Sequence, residues 1–220
     1  MNLRALFISA LTVFLLTNIH ASPLEADFKQ PDTAAPDGGW GAEWKIEGAP
    51  VFRQGGMGKK QSDGQTVAIH EQASLPNDSF ILSADVYAQA NDRWVGLVFD
   101  FLSPETYAVW RVKFSENSAF EPTPWQLLQV RDGKSTVVQQ GTISPGGELA
   151  DPAPLKTWRR LQVERDDDGK YVARVLSDLE STPATWSTDL KWKEDDKGRG
   201  GLFFSNGFVW VRSFSVSPGQ

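Results

Sequence analysis

Apolar and polar side chains alternate with a period of two along most of the chain from Trp40 onward. In segments rich in β-branched and aromatic residues, such alternation predicts β-strands with one buried face. The segments with this pattern are 79–88, 93–102, 106–114, 125–130, 135–140, 158–165, 170–176, 201–205 and 208–216. No stretch after residue 21 shows a helical period over a dozen residues, so we expect an all-β fold.

The connections between these segments carry the residues that tight turns require. Asp132-Gly133, Asp168-Gly169 and Asn206-Gly207 can adopt the positive φ angles of two-residue hairpin turns. No repeat of 20–50 residues is visible, which disfavours a propeller or a solenoid. We therefore predict a two-sheet antiparallel β-sandwich, with one domain over residues 40–220.

The first 21 residues differ from the rest of the chain. A single charge, Arg4, precedes a run of 13 mainly apolar residues at 5–17, and Ala21 supplies the small residue of a cleavage site. The run is shorter than the ~20 residues of a spanning helix. We expect a signal peptide over 1–21, an exported protein that is periplasmic or secreted, and no membrane span after its removal. Residues 22–39, rich in Pro, Ala and Asp, predict a loose N-terminal arm.

The composition excludes several kinds of partner and metal site. With 22 basic and 28 acidic residues the net charge is −6, so we expect no nucleic-acid partner. The chain has no cysteine, and His70 is the only histidine after residue 21, which excludes thiolate and multi-histidine metal sites. We expect no cofactor. A structural calcium stays open without assigned ligands, because the aspartates at 166–168 lack the spacing of a calcium loop.

Alternation also separates a core face from a mixed face in three segments. The core face is predicted to carry Phe80, Leu82, Ala84, Val86, Val95, Leu97, Phe99, Phe101, Ala108, Trp110, Val112 and Phe114. Trp158 and Trp210, in apolar strand contexts, are expected in the core as well. His70 is expected at an ordinary strand position, partly buried or on the surface.

The mixed face combines aromatic rings with charges. If residues 88–93 form a hairpin and 103–105 a second one, three strands lie side by side, with Arg111 near Asp100 and Lys113 near Gly96. The candidate ligand-binding residues on this face are Asp85, Tyr87, Trp94, Asp100, Tyr107, Arg111 and Lys113. Rings accept the C–H faces of a sugar while charged groups bind its hydroxyls, so the pattern favours a carbohydrate ligand.

Four longer segments carry a family resemblance: VGLVFDFLSPETYAVWRVKF, WQLLQVRDGKSTVV, TWRRLQVERDDDGKYVARV and GRGGLFFSNGFVWVRSFSV. They resemble the concanavalin A-like, laminin-G-like jelly rolls of secreted bacterial proteins. The nearest subgroup is the 3-keto-disaccharide hydrolase type, and WKIEGAPVFRQ (44–54) is similar to its opening strand pair, although its LFDG…W opening is absent. The resemblance covers residues 40–216 and implies a jelly-roll sandwich.

Three functions stay open at this point. The mixed face favours an exported, lectin-like carbohydrate-binding module. The resemblance alone implies a hydrolase acting on 3-keto-disaccharides or related glycosides, and a laminin-G-like protein-binding or envelope-structural module is the third. A glycoside hydrolase needs two carboxylates about 5–9.5 Å apart, whereas Asp85 and Asp100 are expected about 13–14 Å apart. We therefore assign no catalytic residue; the sequence specifies neither the glycan nor the oligomeric state.

Overall fold

The computed structural model describes residues 23–27, 43–48, 52–53, 57–59, 64–76, 79–89, 93–114, 123–143, 158–176, 184–187, 198–205 and 209–219. Every regular element in these ranges is a β-strand. No helix within them has the length and apolar character to cross a membrane. The signal peptide expected over 1–21 and the turn expected at Asn206-Gly207 lie outside the described residues.

The strands, in chain order, have the following bounds. They are β1 (Leu24–Asp27), β2 (Trp44–Gly48), β3 (Phe52–Arg53), β4 (Met57–Lys59), β5 (Gln65–Ser74), β6 (Phe80–Ala88), β7 (Arg93–Ser103), β8 (Thr106–Phe114), β9 (Thr123–Arg131), β10 (Lys134–Ile143), β11 (Arg159–Arg165), β12 (Lys170–Leu176), β13 (Ala184–Ser187), β14 (Arg199–Ser205) and β15 (Val209–Pro218).

These strands form two antiparallel sheets that enclose a common core. The first sheet has the order β13-β12-β11-β6-β15-β4-β3, and β1 pairs with β15 on the same side as β4. The second sheet has the order β10-β9-β8-β7-β14-β5-β2. The prediction of an all-β, two-sheet antiparallel sandwich is thereby confirmed.

Alternate side chains of both sheets fill the space between them. The largest buried members of this core are Trp110, Phe80, Phe99, Phe114, Phe204 and Phe214. Full burial of such a side chain stabilises a fold by about 1.5–3 kcal/mol. Because the chain has no cysteine, no disulfide assists this packing. The core positions predicted on β6, β7 and β8 belong to this cluster, with one exception at Phe101.

Strands β6 and β7 belong to different sheets. β6 pairs with β11 and β15 in the first sheet, while β7 pairs with β8 and β14 in the second. The prediction that residues 88–93 join them as a hairpin is therefore wrong, since this segment connects the two sheets. Alternation identified the buried face of each strand, but it carries no information on which strand lies beside it.

A β-bulge at Asp100 reverses the alternation of β7. Asp100 has a φ of 51°, and the pairing with β8 shifts register between Phe99 and Ser103. As a result Asp100 points between the sheets, and Phe101 joins a second apolar cluster on the outer side of the second sheet. The predicted placements of these two residues are both wrong, because one extra residue turns the side chains that follow to the other face.

Strand β1 lies within the segment 22–39, whose composition predicts a loose arm. Leu24–Asp27 pair with the end of β15. Leu24 and Ala26 pack against the main core. A four-residue strand is too short to show a two-residue periodicity in the sequence. Its conformation depends on the pairing with β15, which no local pattern predicts.

Candidate functional site

The outer face of the second sheet brings together four of the seven candidate residues: Trp94, Tyr107, Arg111 and Lys113. The residues that define this face are Glu47, Val67, Ile69, Trp94, Gly96, Val98, Tyr107, Val109, Arg111, Lys113, Gln126, Leu128, Gln140 and Phe203. The prediction that Trp94 and Arg111 point outward together is confirmed by their direct contact.

One row of residues crosses this face at right angles to the strands. In order across the sheet, the Arg111 row consists of Glu47, Val67, Phe203, Gly96, Arg111, Gln126 and Gln140. Neighbouring strands lie about 4.8 Å apart, so the stretch from Arg111 to Gln140 spans about 10 Å. The row therefore has the apolar side chains Val67 and Phe203 on one side of Gly96 and the polar side chains Arg111, Gln126 and Gln140 on the other, with Glu47 at its apolar end.

The guanidinium of Arg111 lies over two aromatic rings. Its Cζ is 4.5 Å from the ring centre of Trp94 and 5.4 Å from that of Phe203. Gly96 lies between Phe203 and Arg111 in the row, and a Cβ there would approach Arg111 Cβ to 2.9 Å and the Trp110 carbonyl oxygen to 2.3 Å. Glycine at this position allows the close approach of β7 and β8 that places the guanidinium over both rings.

Hydrogen bonds extend from Arg111 along the polar end of the row. Arg111 Nε and Nη2 both donate to Gln126 Oε1, at 3.1 and 2.5 Å. Gln126 Nε2 in turn donates to Gln140 Oε1 at 3.3 Å. Burial lowers the pKa of Arg111, but a guanidinium stays protonated in proteins. A charged group is thus held in place by neutral amides and ring faces.

A buried apolar cluster adjoins the polar end of the Arg111 row and includes two members of the row, Val67 and Phe203. Its buried members are Val67, Ile69, Val98, Phe101, Val109, Leu128 and Phe203. Trp94 and Tyr107 pack against them and remain partly exposed. A sheet face turned away from the main core is ordinarily polar, so an apolar cluster with partly exposed rings and amides at its border distinguishes this face.

The register between β7 and β8 differs from the predicted one. Lys113 lies opposite Trp94 and Arg111 opposite Gly96, whereas the sequence predicts Lys113 near Gly96 and Arg111 near Asp100. The partner on β7 is thus two residues away from the predicted one for Lys113 and four residues away for Arg111. The hairpin turn is at the expected place, with Ser103 opposite Thr106, and the bulge between Phe99 and Ser103 shifts the pairing. A shift by an even number of residues keeps both side chains on their predicted face.

Tyr107 lies at the border of the apolar cluster. Its ring centre is 5.7 Å from that of Phe101. Burial, with a smaller effect from the charge of Glu47, raises the pKa of Tyr107 above its ordinary value. The hydroxyl is therefore a neutral hydrogen-bonding group at any physiological pH.

Asp100 does not face this surface. It is buried between the sheets, where Tyr171 Oη of the first sheet donates a hydrogen bond of 2.8 Å to its Oδ2. A Cβ on Gly198 would lie 2.4 Å from Asp100 Cα, so the backbones are in close contact here. Asp100 therefore links β7 of the second sheet to β12 of the first sheet, which is a structural role.

Asp85 and Tyr87 lie on the opposite surface of the molecule, the outer face of the first sheet. Asp85 accepts hydrogen bonds from Arg160 Nε at 2.8 Å and Arg212 Nε at 3.2 Å. Burial alone would raise the pKa of Asp85, but the hydrogen bonds and charge of Arg160, with bonds from Ser213 and Arg212, outweigh it and lower this pKa. Its carboxylate is therefore already neutralised by two arginines.

Aromatic rings accompany Asp85 on that face. Tyr87 and Trp158 have ring centres 5.4 Å apart, and Arg212 Cζ lies 4.8 Å from the Trp158 ring. Trp210 pairs directly with Tyr87. Trp158 and Trp210 are both partly exposed and outside the core cluster, so their predicted core positions are wrong. The structure thus divides the predicted set between two opposite surfaces and the interior.

Sequence reasoning missed three members of the site: Phe203, Gln126 and Gln140. Phe203 lies in the continuous apolar run Leu202-Phe203-Phe204, so alternation does not assign its face. The meeting of these three residues with Arg111 depends on the neighbours β9, β10 and β14, which the sequence does not specify.

Metal ligation has little support in the described part of the chain. There, no three or more His, Asp and Glu side chains form a group that could hold a metal ion. Asp166, Asp167 and Asp168 are exposed at the β11–β12 turn, and Asp166 Oδ1 accepts a hydrogen bond from the Lys170 backbone N–H at 2.7 Å. This turn is explained by its own hydrogen bonding.

Comparison with known proteins supports the fold. No family model matches the chain, and no curated protein matches it. Among solved structures, the carbohydrate-binding module CBM66 from Bacillus subtilis aligns with a TM-score of 0.55 at 11% identity, covering 80% of this chain and 95% of that one. The Emp47p carbohydrate recognition domain aligns with a TM-score of 0.53 at 14% identity, covering 82% and 90%.

A third similar structure is a legume lectin-like domain from Entamoeba histolytica. It aligns with a TM-score of 0.54 at 10% identity and covers 81% of this chain and 91% of that domain. Identities this low show the fold alone. The chain has the concanavalin A-like jelly-roll fold that its sequence resemblance implied.

Proposed function

We propose that this protein is an exported, lectin-like module that binds a glycan on the outer face of its second sheet, with Trp94 and Arg111 at the centre. The observation that carries the proposal is the contact of Arg111 with the Trp94 ring, extended through Gln126 to Gln140. Export is supported by the signal-like pattern of residues 1–21.

The chemistry of this face suits a sugar. The exposed part of the Trp94 ring offers an apolar plane for the C–H face of a pyranose. Arg111, Gln126 and Gln140 offer donors and acceptors at successive strands, which matches the hydroxyl groups at a sugar's edge. The similar solved structures include a carbohydrate-binding module and a carbohydrate recognition domain, which agrees with this reading without supplying residues.

Binding without hydrolysis is favoured by the positions of the carboxylates. Asp85 lies on the outer face of the first sheet and Asp100 between the sheets, so these two groups do not flank one ligand. At the far end of the Arg111 row, Glu47 forms an ion pair of 3.2 Å with Lys45. The two carboxylates predicted from the sequence therefore do not form the acid and nucleophile pair that glycoside hydrolysis requires.

Affinity gel electrophoresis tests the proposal. The protein is run through gels containing cellulose derivatives, xylan, galactomannan, levan, polygalacturonate or alginate, together with the variants Trp94→Ala and Trp158→Ala. Trp158 is the matched control, because it is also a partly exposed tryptophan stacked near an arginine, but on the opposite face. Retention that Trp94→Ala abolishes and Trp158→Ala preserves supports the proposal; retention unaffected by Trp94→Ala would refute it.

A further inference from the structure

We infer that the glycan bound by this face contains uronic acid residues and that Arg111 binds the carboxylate of one of them. The inference rests on the proposed function, since it names the ligand class of the same face. It starts from the surroundings of Arg111, a partly buried cation that lies over two aromatic rings and has a neutral amide as its acceptor.

The surroundings of Arg111 differ from those of four arginines that form ion pairs. Arg160, Arg174, Arg199 and Arg212 each form an ion pair with a carboxylate at 2.8–3.5 Å. Within the described part of the chain, no Asp or Glu pairs with Arg111. A desolvated charge without a counter-ion is costly, and an anionic ligand would remove that cost on binding.

The hydrogen bonds of Arg111 leave one end of the guanidinium for a ligand. Nε and Nη2 both donate to the same oxygen, Gln126 Oε1. A guanidinium has five N–H groups, so both protons of Nη1 and one of Nη2 have no acceptor among the described residues. A carboxylate accepts two parallel N–H bonds from such a planar fork. Gln126 fixes the orientation of the guanidinium and so presents this end.

The neighbours of Arg111 indicate that the carboxylate belongs to a sugar rather than to a small acid. The Trp94 ring provides a stacking plane within 4.5 Å of the charge. Gln126 and Gln140 continue the polar surface for about 10 Å across two further strands. A single small carboxylate would use only the guanidinium, whereas a uronate chain can use the ring and the two amides as well.

The overall charge of −6 does not oppose this local attraction strongly. At physiological ionic strength the Debye length is about 8 Å, so distant surface carboxylates are screened from a ligand at Arg111. The net charge of the chain therefore does not exclude an anionic ligand at Arg111.

The test compares acidic polysaccharides with their neutral counterparts. Oligosaccharides of polygalacturonate, alginate and hyaluronate, each alongside its carboxyl-reduced form, are titrated by calorimetry into the wild type and the variants Arg111→Gln, Arg111→Lys, Trp94→Ala and Arg160→Gln. We expect at least one uronate to bind about tenfold or more tighter than its reduced form, with an affinity that falls as NaCl rises. Arg111→Gln should abolish this preference, and Arg111→Lys should restore part of it by returning the charge without the fork.

Arg160→Gln is the control for loss of an arginine, since Arg160 lies on the opposite face, and it should keep the full preference. Thermal unfolding of each variant identifies any that fail to fold. If Arg111→Gln does not fold, the comparison of Arg111→Lys with the wild type still decides the test. Equal affinity for acidic and reduced forms would overturn the inference. So would a preference that persists in both folded Arg111 variants, or the absence of binding to all three uronates.

The failure of this inference is distinguishable from failure of the proposed function. If neutral glycans bind and Trp94→Ala weakens them while no acid preference exists, only the uronate inference falls. If Trp94→Ala leaves all binding unchanged, the proposed face itself is wrong and the inference falls with it.

Discussion

The Arg111 guanidinium and the Trp94 ring, on adjacent strands β8 and β7 of the second sheet, lie 4.5 Å apart. Such a contact stabilises an arginine by about 0.5–2 kcal/mol, depending on solvent access. It also fixes both groups in one orientation at the border of an apolar cluster. Preorganised side chains lose little conformational entropy when a ligand binds, which is why this pair is the centre of the proposed site.

The hydrogen bond between Tyr171 and Asp100 should contribute measurably to stability. Tyr171→Phe removes a donor from a buried carboxylate, and we expect a loss of about 1–3 kcal/mol in the free energy of unfolding. Tyr87→Phe is the matched control on a partly exposed ring and should change stability by less than about 0.5 kcal/mol. Urea denaturation measures both; equal effects would show that the inter-sheet bond is not responsible.

Gly96 should not accept a side chain. In Gly96→Ala the added Cβ meets the Trp110 carbonyl oxygen and Arg111 Cβ, and such overpacking costs about 1–3 kcal/mol. Because it pushes Arg111 away from the Trp94 and Phe203 rings, glycan binding should weaken as well. Gly133→Ala serves as comparison, because its Cβ meets nothing within 4 Å and only the φ of 72° is strained. That variant should be destabilised by about 1–2 kcal/mol with binding intact; normal binding by Gly96→Ala would contradict the proposed geometry.

His70 should make stability depend on pH. It is buried between the sheets, with its ring 4.9 Å from Trp44 and 6.1 Å from Phe214, and its Nδ1 accepts a hydrogen bond from the Gln72 backbone N–H at 3.2 Å. Burial lowers the pKa of His70 below 6.5, although Glu43 and Glu71 oppose this. The unfolded chain thus binds the proton more readily, so stability is fully present above pH 6.5 and falls as the pH drops toward the folded pKa.

Chemical denaturation between pH 7.5 and pH 5 measures this effect. His70→Phe, which keeps an aromatic ring without a titratable group, should be insensitive to pH over the same range. A wild-type stability that stays constant from pH 7.5 to pH 5 would show that the imidazole is not held neutral by the core.

Asp85 should contribute more to the free energy of unfolding than Arg160. Asp85→Asn leaves Arg160 and Arg212 facing each other without their shared counter-ion, and we expect a loss of about 1–3 kcal/mol. Arg160→Gln should cost less than about 1 kcal/mol, because the Arg160 side chain is 52% exposed. Since the pKa of Asp85 is lowered by folding, its contribution is present above its unfolded pKa near 4 and is lost as the pH falls further. Thermal unfolding of the two variants at pH 7 measures the difference; a larger loss for Arg160→Gln would contradict this ranking.

The sequence predicted the fold well because two-residue alternation is a local property of each strand. The strand β8 was predicted with the bounds Thr106–Phe114 that the structure shows, and its core face was assigned correctly. Resemblance to jelly rolls gave the same architecture from longer segments. Local pattern and global fold agree here, as expected for a sequence that specifies one structure.

The candidate site was predicted only in part because it depends on non-local pairing. Trp94 and Arg111 were placed together correctly because a register error of an even number of residues leaves these two side chains on the same face. Asp85 was placed with them wrongly because nothing local shows that β6 and β7 separate into two sheets. The position of Asp100 was predicted wrongly because it lies in a bulge with a positive φ. The neighbouring residues in the sequence do not indicate this bulge.

A ¹⁵N NMR titration of the Trp94 indole N–H with a retained oligosaccharide tests most directly whether the glycan binds at Trp94. Trp94→Ala and Trp158→Ala assign the two indole signals by their disappearance. We expect the Trp94 signal to shift with ligand and saturate, while the Trp158 signal on the opposite face stays in place. A shift of the Trp158 signal with an unmoved Trp94 signal would contradict binding at Trp94, as would no shift of the Trp94 signal with any glycan.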